Sequence, residues 1–220
     1  MVAGPIPSSS VPRTAVVVPV KAFSAAKARL SPGIEAPIRA ALARAMATQV
    51  LASAGPIAAF VVCDDAEVRA WADQHGASVV WTPGLGLNGA VEAGVAHVAQ
   101  LGFDEALVVH ADLPLATDLS WLAGHRGVTL VPDRHRDGTN VVGVPTGAGF
   151  RFAYGPASFT RHQAEAARIG QPVRTVVDEQ LGWDVDVAGD LSLPEHLHLP
   201  ADVLAVLANP APSPAEAPCR

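Results

Sequence analysis

Lysine occurs at only two positions, Lys21 and Lys27, both within Pro19-Val20-Lys21-Ala22-Phe23-Ser24-Ala25-Ala26-Lys27-Ala28-Arg29-Leu30, where Arg29 adds a third cation. The remaining positive charge is arginine, so a compact ammonium is kept here while a planar guanidinium fork serves elsewhere. The window follows the apolar run Ala15 to Val20, and the carboxyl end of a strand is where an open α/β sheet binds its ligands. Cations in that place neutralise phosphate charge. The plainer alternative is a solvated basic turn.

Two acidic sites lie far from that window in sequence. In Leu107-Val108-Val109-His110-Ala111-Asp112-Leu113-Pro114 an apolar strand ends in an acid and the proline fixes the exit, which delivers Asp112 to the ligand-binding edge of a sheet. In Trp183-Asp184-Val185-Asp186-Val187-Ala188-Gly189-Asp190-Leu191 the acids alternate with extended spacing, which places Asp184 and Asp186 on one strand face. Two carboxylate sources distant in the chain suit Mg2+, which takes few protein oxygens and keeps waters and substrate phosphates as its other ligands. The alternatives are Asp112 as an N-cap or turn former, and a polar loop in which Asp190 caps the next turn.

A neutral set follows. Asp137-Gly138-Thr139-Asn140 enters a strand from a tight turn, and Gly155-Pro156-Ala157-Ser158 reads as a turn that leaves Ser158 at a helix N-cap. Free N–H groups and a hydroxyl at a helix start bind anions, and His162, on the first turns of that helix, is expected to approach one. A plain capped helix is the alternative. His110, His125 and His135 lack metal spacing. Gly84-Leu85-Gly86-Leu87-Asn88-Gly89 is a formal G-x-G-x-x-G between a strand and a helix, with Asp104 about twenty residues on, which invites a nicotinamide or flavin reading. Against that reading, the strand before it is the third, Thr82-Pro83 intervenes, and Asp104 precedes its strand instead of ending it. A Walker A sequence is absent.

These residues need a frame. Short β-branched runs alternate with Ala-rich segments of helical period, the pattern of an α/β sheet with crossover helices. Strands are expected at Ala15 to Val20, Ala58 to Cys63, Ala77 to Thr82, Glu105 to His110, Val128 to Pro132, Asn140 to Val144 and Arg174 to Val177. Helices are expected at Ala36 to Ser53, Ala66 to His75, Leu87 to Gln100, Leu119 to Gly124, Ser158 to Ile169 and Ala201 to Leu207. In the first helix Ile38, Leu42, Met46 and Val50 recur with helical spacing and are expected to face the sheet. One domain is expected over 14–208, with 1–13 and the proline-rich 209–220 as disordered tails.

A net charge of −6 over 220 residues argues against the extended basic face that nucleic acid requires, although a local cluster suffices for a small phosphate ligand. Cys63 and Cys219 form neither a disulfide framework nor a zinc spacing, which fits a reducing intracellular setting. Met1 to Arg13 lacks the continuous apolar segment of a signal peptide and no run is long enough to span a bilayer, so a cytoplasmic protein without membrane contact is expected. A homodimer is the default assembly for a small enzyme.

Taken in order, Pro19-Val20-Lys21 with Ala26-Lys27-Ala28-Arg29-Leu30, Gly86-Leu87-Asn88, Ala111-Asp112-Leu113-Pro114, Asp137-Gly138-Thr139-Asn140, Gly155-Pro156-Ala157-Ser158 with Arg161-His162, and Asp184-Val185-Asp186 resemble the CofC family. The resemblance runs from Thr14 to Leu191. Members are guanylyltransferases that act on 2-phospho-L-lactate or phosphoenolpyruvate in the biosynthesis of coenzyme F(420). The resemblance implies a nucleotidyltransferase-like, GT-A type three-layer α/β sandwich with a mostly parallel mixed sheet. It implies Mg2+ held by Asp112, Asp184 and Asp186, and phosphates neutralised by Lys21, Lys27 and Arg29. GTP would be seated by Pro19, Val20, Lys21, Gly86, Leu87, Asn88 and Asp112, and a small phosphorylated acid by Thr139, Gly155 and Ser158.

The family lacks the Gly-rich first loop of its sugar-nucleotide relatives, and so does this chain. One departure stands out: after Asp186 the family's common Thr-Pro-Glu is replaced by Val187-Ala188-Gly189, which bears on the local turn and on the metal geometry. The rival readings are a nucleotidyltransferase for a molybdenum cofactor or a sugar phosphate, which would more naturally carry a Gly-rich first loop, and a nucleotide-binding regulator without turnover.

Overall fold

The computed structural model describes residues 12–31 and 33–208. Seven strands make one sheet: β1 (Thr14–Pro19), β2 (Ala58–Cys63), β3 (Ser78–Trp81), β4 (Glu105–Val109), β5 (Val128–Pro132), β6 (Thr139–Pro145) and β7 (Val173–Thr175). Their spatial order is β3-β2-β1-β4-β6-β5-β7. Neighbours pair in parallel except at β6, which runs against both β4 and β5.

Alternation along the strands divides the core in two. Val16, Val18, Val61 and Cys63 pack on one face, while Ala15, Val17, Phe60 and Val62 pack on the other. The first face is covered by α1 (Ala36–Ser53) and α2 (Ala66–Gln74), through Ala43, Ala47, Val50, Val68 and Trp71. The second is covered by α3 (Gly86–Gln100) and α4 (Ser158–Arg168), through Val91, Val95, Val98 and Ala166. The result is the three-layer, mostly parallel α/β sandwich expected from the alternation of elements. Local signals set the helix starts: Asp65 caps α2 by accepting the Val68 N–H at 3.0 Å. In α3, Gly94 allows close approach to the sheet, because a Cβ there would lie 2.5 Å from a Val62 methyl.

Three expectations change. The helix expected at Leu119 to Gly124 is only a 3-10 turn over Ser120–Leu122, because Asp118 captures the Ser120 N–H at 2.8 Å and Gly124 turns away to donate to Glu105 Oε2 at 2.6 Å. The stripe of α1 does not all face the sheet. Leu42 and Met46 instead join Leu30, Leu115, Val185, Leu199 and Val203 in a third cluster beneath α5 (Ala201–Ala208), leaving Val50 with small alanines to meet the strands. Arg13 is tied down rather than part of a loose tail: its N–H donates to Asp104 Oδ2 at 2.9 Å and its guanidinium covers the Phe103 ring at 4.8 Å. The rest of the tail expectation, over 1–11 and 209–220, lies outside the described residues, as does Cys219. No helix among the described residues is long and apolar enough to cross a membrane.

Candidate active site

From β1 the chain winds outward through β2 to β3, then returns to the far side of β1 as β4. Loops leaving the carboxyl ends of β1 and β4 therefore part in opposite directions and open a crevice. The β1 loop runs through two short 3-10 helices, Phe23–Ala25 and Ala28–Leu30, anchored by buried Phe23 and Leu30. Between them Lys27 adopts a left-handed φ of 55°, a conformation uncommon for a residue with a side chain. Its ammonium lies 2.6 Å from Asp112 Oδ2, beyond the end of β4, and 3.5 Å from Asp186 Oδ1. Arg29 reaches Asp186 Oδ2 at 3.2 Å from a largely solvated position. Lys21 is exposed and forms no ion pair among the described residues. Val20 turns its side chain into the core and its N–H donates to the Val62 carbonyl at 3.0 Å, so Pro19 and Val20 border the crevice as backbone.

The acidic segment docks on Asp112 itself, with the Val185 N–H donating to the Asp112 carbonyl at 3.2 Å and the Val185 side chain fully buried. Alternation then leaves Asp184 and Asp186 both directed toward the crevice as expected, although the segment is extended chain outside the sheet rather than a strand. The substituted turn is rebuilt by Asp190, whose Oδ2 accepts from the N–H groups of Asp186 at 2.7 Å and Val187 at 2.8 Å. Arg134 completes the support. It donates to the Asp184 carbonyl at 2.9 Å, pairs with the Asp190 carboxylate and stacks over Trp183 at 4.5 Å.

Electrostatics follow from this crowding. Burial is the largest influence and works to raise the Asp112 carboxyl, but the charge and hydrogen bond of Lys27 together with the neighbouring His110 outweigh it and hold the group below its ordinary value. Burial likewise works against the Lys27 ammonium, and the carboxylates of Asp112, Asp186 and Asp184 together outweigh it, so Lys27 stays charged. Asp184 pairs with Arg134 at 3.5 Å, but burial, then the neighbouring Asp112 charge, outweigh that cation and push the carboxyl up to about 6. Asp112 Oδ1 is buried with no protein partner. An orphaned carboxylate oxygen beside a carboxyl strained by repulsion fits a divalent cation. Among the described residues no three or more His, Cys, Asp or Glu gather to hold a metal by themselves, so Asp112, Asp184 and Asp186 do not form a ready-made three-carboxylate site.

The other end of the crevice is neutral. Thr139 opens β6 and Ser158 opens α4, and their hydroxyl oxygens lie 3.4 Å apart, both buried. His162 is fully buried behind them. Its Nε2 accepts the Ala153 N–H at 3.0 Å, which leaves the proton on Nδ1 to donate to Thr139 Oγ1 at 3.1 Å. Burial pushes its pKa down to about 4, so the ring is neutral. With Thr139 Oγ1 receiving from His162, the two hydroxyl hydrogens remain for each other and for an incoming anion. Gly155 shapes the approach with a φ of 115°, which only glycine adopts readily, and Asp137 braces the turn by accepting the Ala157 N–H at 3.2 Å.

Two expectations are corrected here. Ser158 is the first helical residue rather than the N-cap; Ala157, left-handed at φ 56°, precedes it without a side-chain cap. His162 does not face an anion, because both ring nitrogens are spent inside the protein. The Gly86-Leu87-Asn88 loop starts α3, and Asn88 Oδ1 accepts the Tyr154 N–H at 2.8 Å, tying this loop to the wall of the neutral end. Sequence reasoning missed Arg134 and Tyr154 altogether, whereas the reading of Asp190 as the cap of the next turn is the arrangement found.

Comparison with known proteins bears on this arrangement. The family described as "Guanylyl transferase CofC like" matches residues 14–197. The chain belongs to that family. It is 35% identical over 187 residues to the phosphoenolpyruvate guanylyltransferase of Sphaerobacter thermophilus, covering 81% of this chain and 90% of that relative. It is 31% identical over 190 residues to the 2-phospho-L-lactate guanylyltransferase of Methanothermobacter thermautotrophicus, covering 81% and 82%. Among solved structures, a protein described as a candidate nucleotide-diphospho-sugar transferase from Desulfovibrio desulfuricans superposes with a TM-score of 0.64 at 16% identity, over 82% of this chain and 85% of that one. A cytidylyltransferase from Leptospira borgpetersenii gives 0.52 at 10% identity, over 90% and 93%. At those identities the likeness is one of fold, and the fold is the nucleotidyltransferase-like one that the motifs imply.

Proposed function

We propose that this CofC-family protein transfers GMP from GTP to a small phosphorylated acid, phosphoenolpyruvate or 2-phospho-L-lactate, in coenzyme F(420) biosynthesis. A phosphate oxygen of the acid attacks the α-phosphorus of GTP, the bond to the β-phosphate oxygen breaks, and pyrophosphate leaves. The acceptor phosphate is already ionised near neutral pH, so no protein base is required and catalysis consists of positioning and charge neutralisation. The observation that carries this reading is the joining, in one crevice, of a cation–carboxylate cluster with a neutral hydroxyl pocket.

Each end then has a task. Asp112 and Asp184, with Asp186, would hold Mg2+, which when bound supplies charge neutralisation to the triphosphate. Lys27 sits on the Asp112 oxygen that faces the crevice, and would exchange that carboxylate for a phosphate as nucleotide and metal arrive. Arg29 and Lys21, both exposed, would extend the positive edge toward the leaving pyrophosphate, and the Gly86-Leu87-Asn88 loop would lie against the base or ribose. Thr139, Ser158 and the turn at Gly155 receive the acid.

The test is a panel of GTP with each of the two acids and with 3-phosphoglycerate, products identified by mass and pyrophosphate counted. A GMP-linked acid with equimolar pyrophosphate is expected from one of the first two. Nucleotide binding with no pyrophosphate from any acceptor would make the protein a binder rather than an enzyme.

A further inference from the structure

Three buried polar atoms in the described structure have no protein partner and belong to one short path: Asp112 Oδ1, His110 Nε2 and the Tyr154 hydroxyl. His110 leaves β4 two residues before Asp112, and its N–H donates at 3.0 Å to the carbonyl of Asn140, the neighbour of Thr139. The His110 and Tyr154 rings lie 4.7 Å apart, and Tyr154 stands edge-on to His162 at 4.9 Å. Tyr154 is also stacked on Phe152, and its backbone is held by Asn88. Its ring therefore lies between His110, near the acidic strand end, and His162, which braces Thr139, while its hydroxyl has no protein partner.

Burying a hydroxyl with no partner costs about 1–3 kcal/mol, so such a group calls for an explanation. Burial also pushes the phenol up, which keeps it a proton donor at any working pH. The two ends of the acceptor differ in what they must face. Its phosphate has to meet the α-phosphorus of GTP near Asp112 and Asp184, which turns its carboxylate toward the neutral hydroxyls. A carboxylate offers two oxygens and about four lone pairs, more than Thr139 and Ser158 can fill.

Resting on the guanylyl-transfer reading above, we infer that the Tyr154 hydroxyl, supported by His110, donates a hydrogen bond to the carboxylate of the phosphorylated acid and helps select acids over simple phosphate monoesters.

Tyr154→Phe tests this with almost no change of shape. The free variant is expected to melt at the same temperature as the natural protein or higher, since an unpaired buried hydroxyl is removed. The KM for the acid should rise about 10- to 100-fold while that for GTP stays put, the loss expected for one hydrogen bond to a charged group. With vinyl phosphate, which lacks the carboxylate, the two proteins should be equally slow. His110→Gln, which leaves the phenol in place, should raise the same KM by a smaller factor. An unchanged KM for the acid overturns the inference. So does a lower melting temperature with an unchanged KM, which would mean that a resident water already satisfies the phenol. A rise in the KM for GTP alone would reassign Tyr154 to the nucleotide. If the natural protein forms no guanylylated acid and binds neither acid in calorimetry, the underlying reading falls as well, a result distinct from normal turnover that Tyr154→Phe leaves untouched.

Discussion

The two ends of the crevice are built in opposite ways. At one end Lys27, Asp112, Asp184, Asp186, Arg29 and Arg134 keep several full charges within a few ångströms on loops. At the other, Thr139, Ser158 and His162 present only neutral hydrogen-bonding groups, buried and carried on a strand and a helix. The first arrangement can exchange partners, because an ammonium can leave a carboxylate for a phosphate with its charge still paired. The second is fixed by its own hydrogen bonds and has little to rearrange. The difference matches the tasks assigned above, a triphosphate whose charge changes during reaction and an acid that must be held still.

The largest effect should come from the charged end. Asp112→Asn removes a charge with little change in shape, and turnover should fall about a hundredfold or more, the scale on which removing a group that stabilises transition-state charge is felt. Turnover that persists at saturating Mg2+ would remove Asp112 from the metal site. Lys27→Gln should also lower turnover, and it carries a second signature. With the ammonium gone, Mn2+ titrated in the absence of nucleotide, followed by its paramagnetic resonance, should bind more tightly than to the natural protein. Equal or weaker binding would show that Lys27 does not compete for Asp112.

The two ends also respond to pH with opposite sign. His162 has its folded pKa lowered from 6.5 to about 4, so it contributes stability in full above 6.5 and loses it as pH falls through that window. Asp184 has its folded pKa raised from 3.8 to about 6, so in metal-free protein its contribution is present at low pH and is lost as pH rises between those values. Each is worth on the order of 3 kcal/mol and they oppose each other, while His110 and His125, also lowered by burial, add to the His162 trend. Relative to the natural protein, His162→Gln should make the melting temperature rise less, or fall, as pH rises across this range, and Asp184→Asn should make it climb more steeply. Parallel profiles for the two variants would contradict the contrast.

Much of the frame was legible in the sequence, and the exceptions share a cause. The period-two alternation of Val16 and Val18 against Ala15 and Val17 sorts the two core faces, and the limits of α1 coincide with Ala36 and Ser53 as expected. The orientation of Leu42 and Met46 was not readable, because the surface they cover is supplied by Leu199 and Val203, far along the chain. Arg134 has no local signature; its meaning arises where it meets Trp183 and Asp190. His162 was expected to approach an anion, and only burial, which a sequence does not display, makes it a neutral brace. The charged residues announced themselves through rarity and strand-end position, whereas the neutral end depends on which hydroxyls fold inward together.

The smallest expected change is also the most direct test of the division of labour. Ser158→Ala removes one hydroxyl from the neutral end and none from the charged end, and each substrate can be titrated in turn by steady-state kinetics with a thermal melt as control. The account predicts a GTP affinity that is nearly unchanged and an affinity for the phosphorylated acid that falls by about 1.5–3 kcal/mol, the value of one charge-assisted hydrogen bond. A loss of GTP affinity with the acid unaffected would contradict it and place the two substrates the other way round.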